Sequence, residues 1–571
     1  MLVKLHNALQ HLASNAWFAY GTLFLLQLKV VWGMWLFRDL TFGDTASYFS
    51  MATGWYNFFG APVNWSPLYT GFYGALLNFS PDAYFVTILH RLIIVFVSSI
   101  LMLALLRRLL PHSIAWLIAA WWAILPVTFD TLYEVHLFSV IPTFAAYLIA
   151  LYKPTIWTRG AALGVFLLSA FLSRNEIFIA VGLWTLSCLI WEIYQARKVG
   201  AKSLLIYLRA YGIPVVLAMI VVVFFYIRST IKYPELAASL NEKHTLNVCQ
   251  IYAYNYQQRY SDWTKNPWTE CQDLMMRDFG VPQPSMIEAI RLNPRAMLDY
   301  FLWNVRLIPD GIQVLLFNAS SGYGQPDYIP RTTGSVYSLV LSIISIIIVV
   351  SGLILLRRQP QWQLWIKERA WGWLALTCTL VVMGVVILMQ RPRPSYLYNL
   401  ALFLMAVIGM GAALIVDRAV GLKRFAVTVP VVAIALIVLV PSYFAPAYPN
   451  PSRQLMGHYE RLAPYNAILA EPGTRIVGTS WLGNVCLYNG IRACESVDYD
   501  TFIGQKPEDA SIADHLDEES INFFYADEGI LADPAVQDFL ANSASEGWDT
   551  LVSVDAGDSH WRLLRRRTEP T

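Results

Sequence analysis

The chain has 571 residues, 56% of them hydrophobic and 14% charged, with a mean hydropathy of +0.46. A water-soluble domain covers its surface with about 25% charged residues, so a wholly soluble protein is excluded. The net charge of +2 comes without a dense basic patch, which excludes a nucleic-acid partner.

A helix crosses a hydrocarbon core of about 30 Å with about 20 apolar residues. About eleven stretches meet that need: Ala16–Phe37, Phe85–Leu106, His112–Thr128, Leu137–Leu151, Thr158–Ser173, Ile177–Trp191, Leu205–Ile227, Val336–Leu356, Ala370–Gln390, Tyr398–Val416 and Phe425–Val440. The fourth to sixth are short for a full crossing. The first lacks a small-residue cleavage site and exceeds the apolar core of a signal peptide, so it reads as an uncleaved anchor. Lys29 lies inside it, and His90 with Arg91 lies inside the outer part of the second; ionisable groups at such depth serve function or snorkel to the surface.

Positive side chains gather in one alternating set of connections: Arg107 and Arg108; Lys153 and Arg159; Arg197, Lys198, Lys202 and Arg209; Arg357, Arg358, Lys367 and Arg369; Arg418, Lys423 and Arg424. The positive-inside rule makes that set cytoplasmic. The N-terminus is then cytoplasmic and the C-terminal domain extracytoplasmic, in a multi-pass protein of the cell membrane.

Three segments project outward: the loop 38–84, the loop 228–335 and the tail 441–571. The second contains an amphipathic stretch, Met286–Leu316, suited to lie along the membrane surface. In the tail, Thr474–Thr479, Ile521–Ala526 and Trp548–Val554 read as strands, and Pro534–Ala544 as a helix with Asp533 as N-cap. The fold class is therefore an α-helical polytopic membrane protein, residues 1–440, followed by a small soluble α/β domain, 441–571. Cys188 and Cys378 fall inside spans. The other four cysteines fall on the outer side as two local pairs, Cys249 with Cys271 and Cys486 with Cys494. An oxidising compartment favours two disulfides there; four reduced thiols are the alternative.

The long outer loops beside short inner ones place the chemistry outside. Asp44 lies in Gly43-Asp44-Thr45-Ala46-Ser47-Tyr48-Phe49, just beyond the first span. A carboxylate there can take a proton from an attacking hydroxyl or hold a divalent cation such as magnesium or manganese; it can equally cap a helix. Asp130 and Glu134 sit four apart, with His136 beyond them, at the turn between the third and fourth spans. They form a second acidic wall, with Glu134 able to join Asp44 on a metal, or a solvated turn. Arg174, in Ser173-Arg174-Asn175-Glu176, and Arg391 and Arg393, in Arg391-Pro392-Arg393-Pro394-Ser395-Tyr396, stand on the outer side against the charge bias. The planar guanidinium fork suits a phosphate carried on a lipid; headgroup anchoring is the other reading. No Walker A loop, H-E-x-x-H, zinc-type cysteine array or G-x-S-x-G occurs on the outer side.

This arrangement resembles the GT-C superfamily of polytopic membrane glycosyltransferases. The resemblance rests on Gly43-Asp44 in a large first outer loop, on Trp65-Ser66-Pro67-Leu68-Tyr69 in the same loop, and on the acidic turn from Pro126 to Glu134. The Ser-Arg-Asn-Glu turn, the Arg-Pro-Ser-Tyr segment before a late span and the outer C-terminal domain add to it. It implies a polyprenyl-phosphate-linked sugar as donor, a lipid, glycan or protein as acceptor, and hexosyl or pentosyl transfer with inversion. It makes Asp44 the base or metal-holding acid, Glu134 or Asp130 the second acid, and Arg174 and Arg393 the donor-phosphate residues. The sequence departs from the protein O-mannosyltransferase-like branch, because Thr45 follows Asp44, and from the oligosaccharyltransferase signature, because Trp121-Trp122 lies in a span before Ala123. An O-antigen polymerase or ligase and a transporter or flippase of lipid-linked glycans are the competing classes. The polymerases and ligases usually lack an acidic first loop, and the transporters usually show repeated halves.

Overall fold

A computed structural model of the protein describes residues 10–31, 43–57, 65–125, 134–200, 203–232, 240–326, 332–421, 460–478, 485–492, 494–507, 509–556 and 559–567. In chain order the first helices are α1 (Ala16–Val30), α2 (Gly43–Asn57), α3 (Pro67–Phe79), α4 (Ala83–Leu109), α5 (His112–Ile124), α6 (Glu134–Tyr152), α7 (Ile156–Leu172) and α8 (Ile177–Val199). A single helical turn, Leu204–Tyr207, and a π-helical turn, Leu208–Gly212, then lead into α9 (Ile213–Lys232). Next come α10 (Leu240–Gln257), α11 (Cys271–Phe279), α12 (Met286–Leu292), α13 (Pro294–Arg306) and α14 (Ile308–Phe317). Last in the helical region are α15 (Val336–Leu356), α16 (Pro360–Glu368), α17 (Ala370–Met389) and α18 (Pro394–Gly421).

Among the described residues, seven helices are long and apolar enough to cross a membrane, and Ala16–Leu28, His112–Ile124 and Ile156–Leu172 are shorter apolar helices. Together they coincide with the first ten expected spans; the eleventh, 425–440, lies outside the described residues. Helices suit this setting because each satisfies its own backbone groups where no water can. The fourth to sixth spans are longer than expected, at 19, 17 and 23 residues.

Arg159, counted from the sequence with the positive connection, lies within α7, four residues beyond its cap Thr155. There Arg159 is buried against Glu192 of α8, with Tyr211 of the π turn donating to the same carboxylate at 3.3 Å. A charge this deep persists because its partner is buried with it. The expected amphipathic stretch Met286–Leu316 is divided among α12, α13 and α14. Pro294 and Pro309 each stand in a helix's first turn, where proline's missing N–H costs nothing but ends the preceding segment.

The chain divides into two compact units. One comprises Met1–Trp32, Pro62–Leu68 and Leu92–Ala447. In it α15 crosses α18 where Gly352 meets Gly411; a methyl group on Gly352 would stand 2.5 Å from the Gly411 Cα. Paired glycines let two helix backbones approach this closely. The outer loop 228–335 has a core of its own, built from Cys249, Tyr252, Leu274, Phe279, Met297 and Tyr300. The disulfide Cys249–Cys271, with Cα atoms 5.5 Å apart, ties α10 to α11.

The other unit comprises Gly33–Ala61, Tyr69–Arg91 and Tyr448–Thr571. Here Phe49 of α2 stacks on Tyr73 of α3 at 4.2 Å, and Phe49, Tyr69, Phe72 and Tyr73 surround the fully buried His90. The tail forms a five-stranded sheet from β1 (Arg475–Gly478), β2 (Glu495–Asp498), β3 (Phe523–Ala526), β4 (Trp548–Ala556) and β5 (Ser559–Arg566), in the order β2-β1-β3-β5-β4. β1 runs parallel to β2 and β3, while β5 pairs antiparallel with β3 and β4. All four residues of β3 are buried, as an interior strand covered on both faces requires. The helix Pro534–Asn542 starts as expected, with the Asp533 carboxylate accepting from Ala535 N. The second disulfide, Cys486–Cys494, closes a loop in which Gly490, at φ +70°, lies against the carbonyl of Pro81, and Arg492 reaches the carbonyl of Leu77 at 3.5 Å.

Candidate functional site

The ends of three apolar helices converge on Tyr396, in the first turn of α18. Its ring meets the His136 imidazole edge-on at 4.7 Å, in the first turn of α6. The Arg393 guanidinium stands 5.2 Å from the same ring and that of Arg174 stands 5.7 Å from it. Arg174 belongs to the tight turn between α7 and α8 and pairs with Glu176 at 2.8 Å. Two expected donor-phosphate residues, 219 positions apart by their numbers, therefore share one aromatic ring. A ring face attracts a cation without neutralising it.

Arg391 and Arg393 are buried, at 1% and 2% exposure. Arg391 lies over the ring of Tyr254 at 4.0 Å. Tyr254 is presented by α10, the helix fixed by the Cys249–Cys271 disulfide. The turn bearing both arginines is held from the outer loop by α13: Asn304 donates to the carbonyl of Leu388 at 3.0 Å, and the Tyr300 hydroxyl donates to that of Met389 at 2.6 Å. These are end carbonyls of α17, which lack partners inside their own helix. Asn255 of α10 in turn donates to Asn304 at 2.7 Å. Below them, Gly311 of α14 packs directly on the carbonyl of Pro392. Tyr252, one turn from Tyr256, donates to Asp278 at 2.7 Å; burial first, and then that carboxylate, hold its phenol above the ordinary value and keep it neutral.

The first outer loop joins this region through Ser66. Its hydroxyl donates to the carbonyl of Ser173, next to Arg174, at 2.7 Å. Ser66 itself has φ +47°, a left-handed backbone that a non-glycine residue adopts only where its surroundings hold it. Two motifs distant in sequence, Trp65-Ser66-Pro67-Leu68-Tyr69 and Ser173-Arg174-Asn175-Glu176, are thus bonded to one another.

Asp44 is the second residue of α2, and Glu134 is the first residue of α6. The side chains of both, and the whole of Asp130, lie outside what the structure describes. Among the described residues, no group of three His, Cys, Asp or Glu side chains is placed to hold a metal ion. Tyr396, Tyr254, Tyr300, Asn304 and Gly311 were not anticipated from the sequence as parts of the arginine turn. Tyr396 carried one signal, its place next to an arginine pair that runs against the charge bias.

Fold and site together describe a polytopic helical membrane protein with a buried arginine turn where its spans end. No family profile matches the sequence, and no characterised protein sequence matches it. Among solved structures the chain is similar to the archaeal oligosaccharyltransferase AglB from Archaeoglobus fulgidus in complex with an inhibitory peptide and a dolichol-phosphate. The identity is 12% and the TM-score 0.43, over 90% of this chain and 69% of that one. It is also similar to ArnT from Cupriavidus metallidurans bound to undecaprenyl phosphate, at 11% identity and a TM-score of 0.37, over 96% of this chain and 98% of that one. An Archaeoglobus fulgidus oligosaccharyltransferase in complex with Zn and sulfate gives 12% identity and a TM-score of 0.42, over 89% of this chain and 68% of that one.

Proposed function

We propose that this chain is a membrane glycosyltransferase of the GT-C kind, moving a hexose or pentose from a polyprenyl-phosphate-linked donor to an acceptor hydroxyl on the outer face, with inversion. The observation that carries this reading is the buried arginine turn, with Arg393 and Arg174 on Tyr396 and Arg391 on Tyr254. The planar guanidinium fork suits a phosphate, and a phosphate carried on a lipid lies at the depth where a span ends. In transfer, the acceptor oxygen bonds to the anomeric carbon as the bond from that carbon to the phosphate oxygen breaks. The electron pair leaves with the lipid phosphate, whose growing charge the arginines stabilise. The acceptor proton passes to a carboxylate, a role the family resemblance gives to Asp44. Asp44 and Glu134 are the carboxylates that would hold a divalent cation, which would supply charge to the leaving phosphate.

The test is transfer from a labelled polyprenyl-phosphate sugar by the full chain in lipid vesicles. Arg393→Ala is expected to weaken donor binding about ten- to a hundredfold, the worth of charge-assisted hydrogen bonds, with Arg393→Lys in between because it keeps charge without the fork. Donor affinity unchanged in a folded Arg393→Ala protein would remove the arginine turn from the site. Asp44→Asn is expected to cut turnover by about 10²–10⁴-fold; near-normal transfer by that variant would end its role as base. Chelation, followed by return of magnesium or manganese, reads whether a cation takes part. Movement of the donor lipid without product would favour a flippase.

A further inference from the structure

The outer helices α12 and α13 present a face that the transferase reading does not use. α13 buries Met297, Tyr300 and Asn304 on one side. The opposite side is exposed and apolar: Leu298 at 58%, Leu302 at 58% and Val305 at 43%. α12 also exposes apolar side chains, Ile287 at 65%, Ile290 at 39% and Leu292 at 48%. Three exposed arginines border the stripe: Arg291 at the end of α12, Arg295 at the start of α13 and Arg306 at its end. Arg306 lies 5.5 Å from the ring of Trp303. Of the acids nearby, Asp299 is engaged by Arg259 and Tyr260, and Glu288 caps its own helix through Ser285.

The depth of α13 is fixed independently. Its buried side chains donate to the carbonyls of Leu388 and Met389, where the span α17 ends. The helix therefore stands at the level of the lipid headgroups. An apolar stripe of this size facing water would be costly, whereas in the interface its aliphatic side chains reach the acyl boundary and its arginines stay among the phosphates.

We infer that α12 and α13 form a docking surface for anionic phospholipid of the outer leaflet, with Leu298, Leu302 and Val305 in the acyl boundary and Arg291, Arg295 and Arg306 on lipid phosphates. The surface acts whether or not the chain transfers sugar, so its test does not depend on activity. A polarity-sensitive fluorophore is attached at Leu302→Cys, and for comparison at Gln272→Cys on the exposed side of α11, in the full chain reconstituted in vesicles. Nitroxides carried at a shallow depth on the lipids are expected to quench the label at 302, and aqueous iodide the label at 272. Equal quenching of both labels by iodide would overturn the proposal. Separately, Arg291→Gln, Arg295→Gln and Arg306→Gln are expected to lower the preference for spin-labelled phosphatidylglycerol over phosphatidylcholine by about fivefold per arginine. A preference left intact by all three together would remove the headgroup contact.

Discussion

Arginines that break the positive-inside pattern were visible in the sequence because a rule about their neighbours marks them as exceptions. Arg174, Arg391 and Arg393 were found that way. The ring that gathers two of them was not, since Tyr396 meets His136 and Arg174 from positions hundreds of residues apart, and no local pattern encodes such a meeting. In the tail, a different single side chain sets a pH response. Glu546 is partly buried, and burial first, then the negative charges of Asp514 and Asp538, raise its carboxyl above the ordinary 4.5. The folded state then holds that proton more tightly than the unfolded one. This contribution to stability is fully present below pH 4.5 and is lost as pH rises through the raised value. Glu546→Gln removes the loss: above that window the variant is expected to protect the β3 amides from hydrogen exchange better than the parent, and below pH 4.5 the two are expected to converge.

Among elements, hydrophobic runs located the spans well, because an apolar helix in lipid needs only length and composition to be recognised. Breaks inside amphipathic or polar stretches were harder. Met286–Leu316 kept one apolar periodicity across two prolines, and only the structure separates α12, α13 and α14. β2 and β5 went unseen for another reason. β2 reads Glu-Ser-Val-Asp with one large apolar residue, and β5 carries Arg562, Arg565 and Arg566 among its apolar residues, so neither resembles a buried strand. Position in the sheet, between β3 and β4, makes β5 interior. Between α14 and the arginine turn, the contact at Gly311 leaves no room for a methyl group beside the Pro392 carbonyl. Gly311→Ala is expected to cost about 1–3 kcal/mol through displacement of one backbone by the other, with weaker donor binding alongside. A thermal melt and a donor titration read both, and the idea fails if neither moves.

At the scale of the molecule, the disulfides Cys249–Cys271 and Cys486–Cys494 are the expected pairs, and the orientation expected from the loop charges is open to a direct test. An epitope fused after Thr571 is expected to be stained on intact cells and an epitope at Met1 only after permeabilisation; the reverse pattern would invert the topology. Chain order adds a constraint of its own. The aromatic cluster around His90 belongs to the same unit as the tail, whose Gly490 and Arg492 rest on the turn at Leu77 and Pro81. Synthesis at about 5–20 residues per second puts roughly twenty to seventy seconds between the two halves of that unit. For that interval the segment made first in this unit waits for the one made last. A ribosome that stops early leaves the turn at Leu77 and Pro81 without the contacts of Gly490 and Arg492.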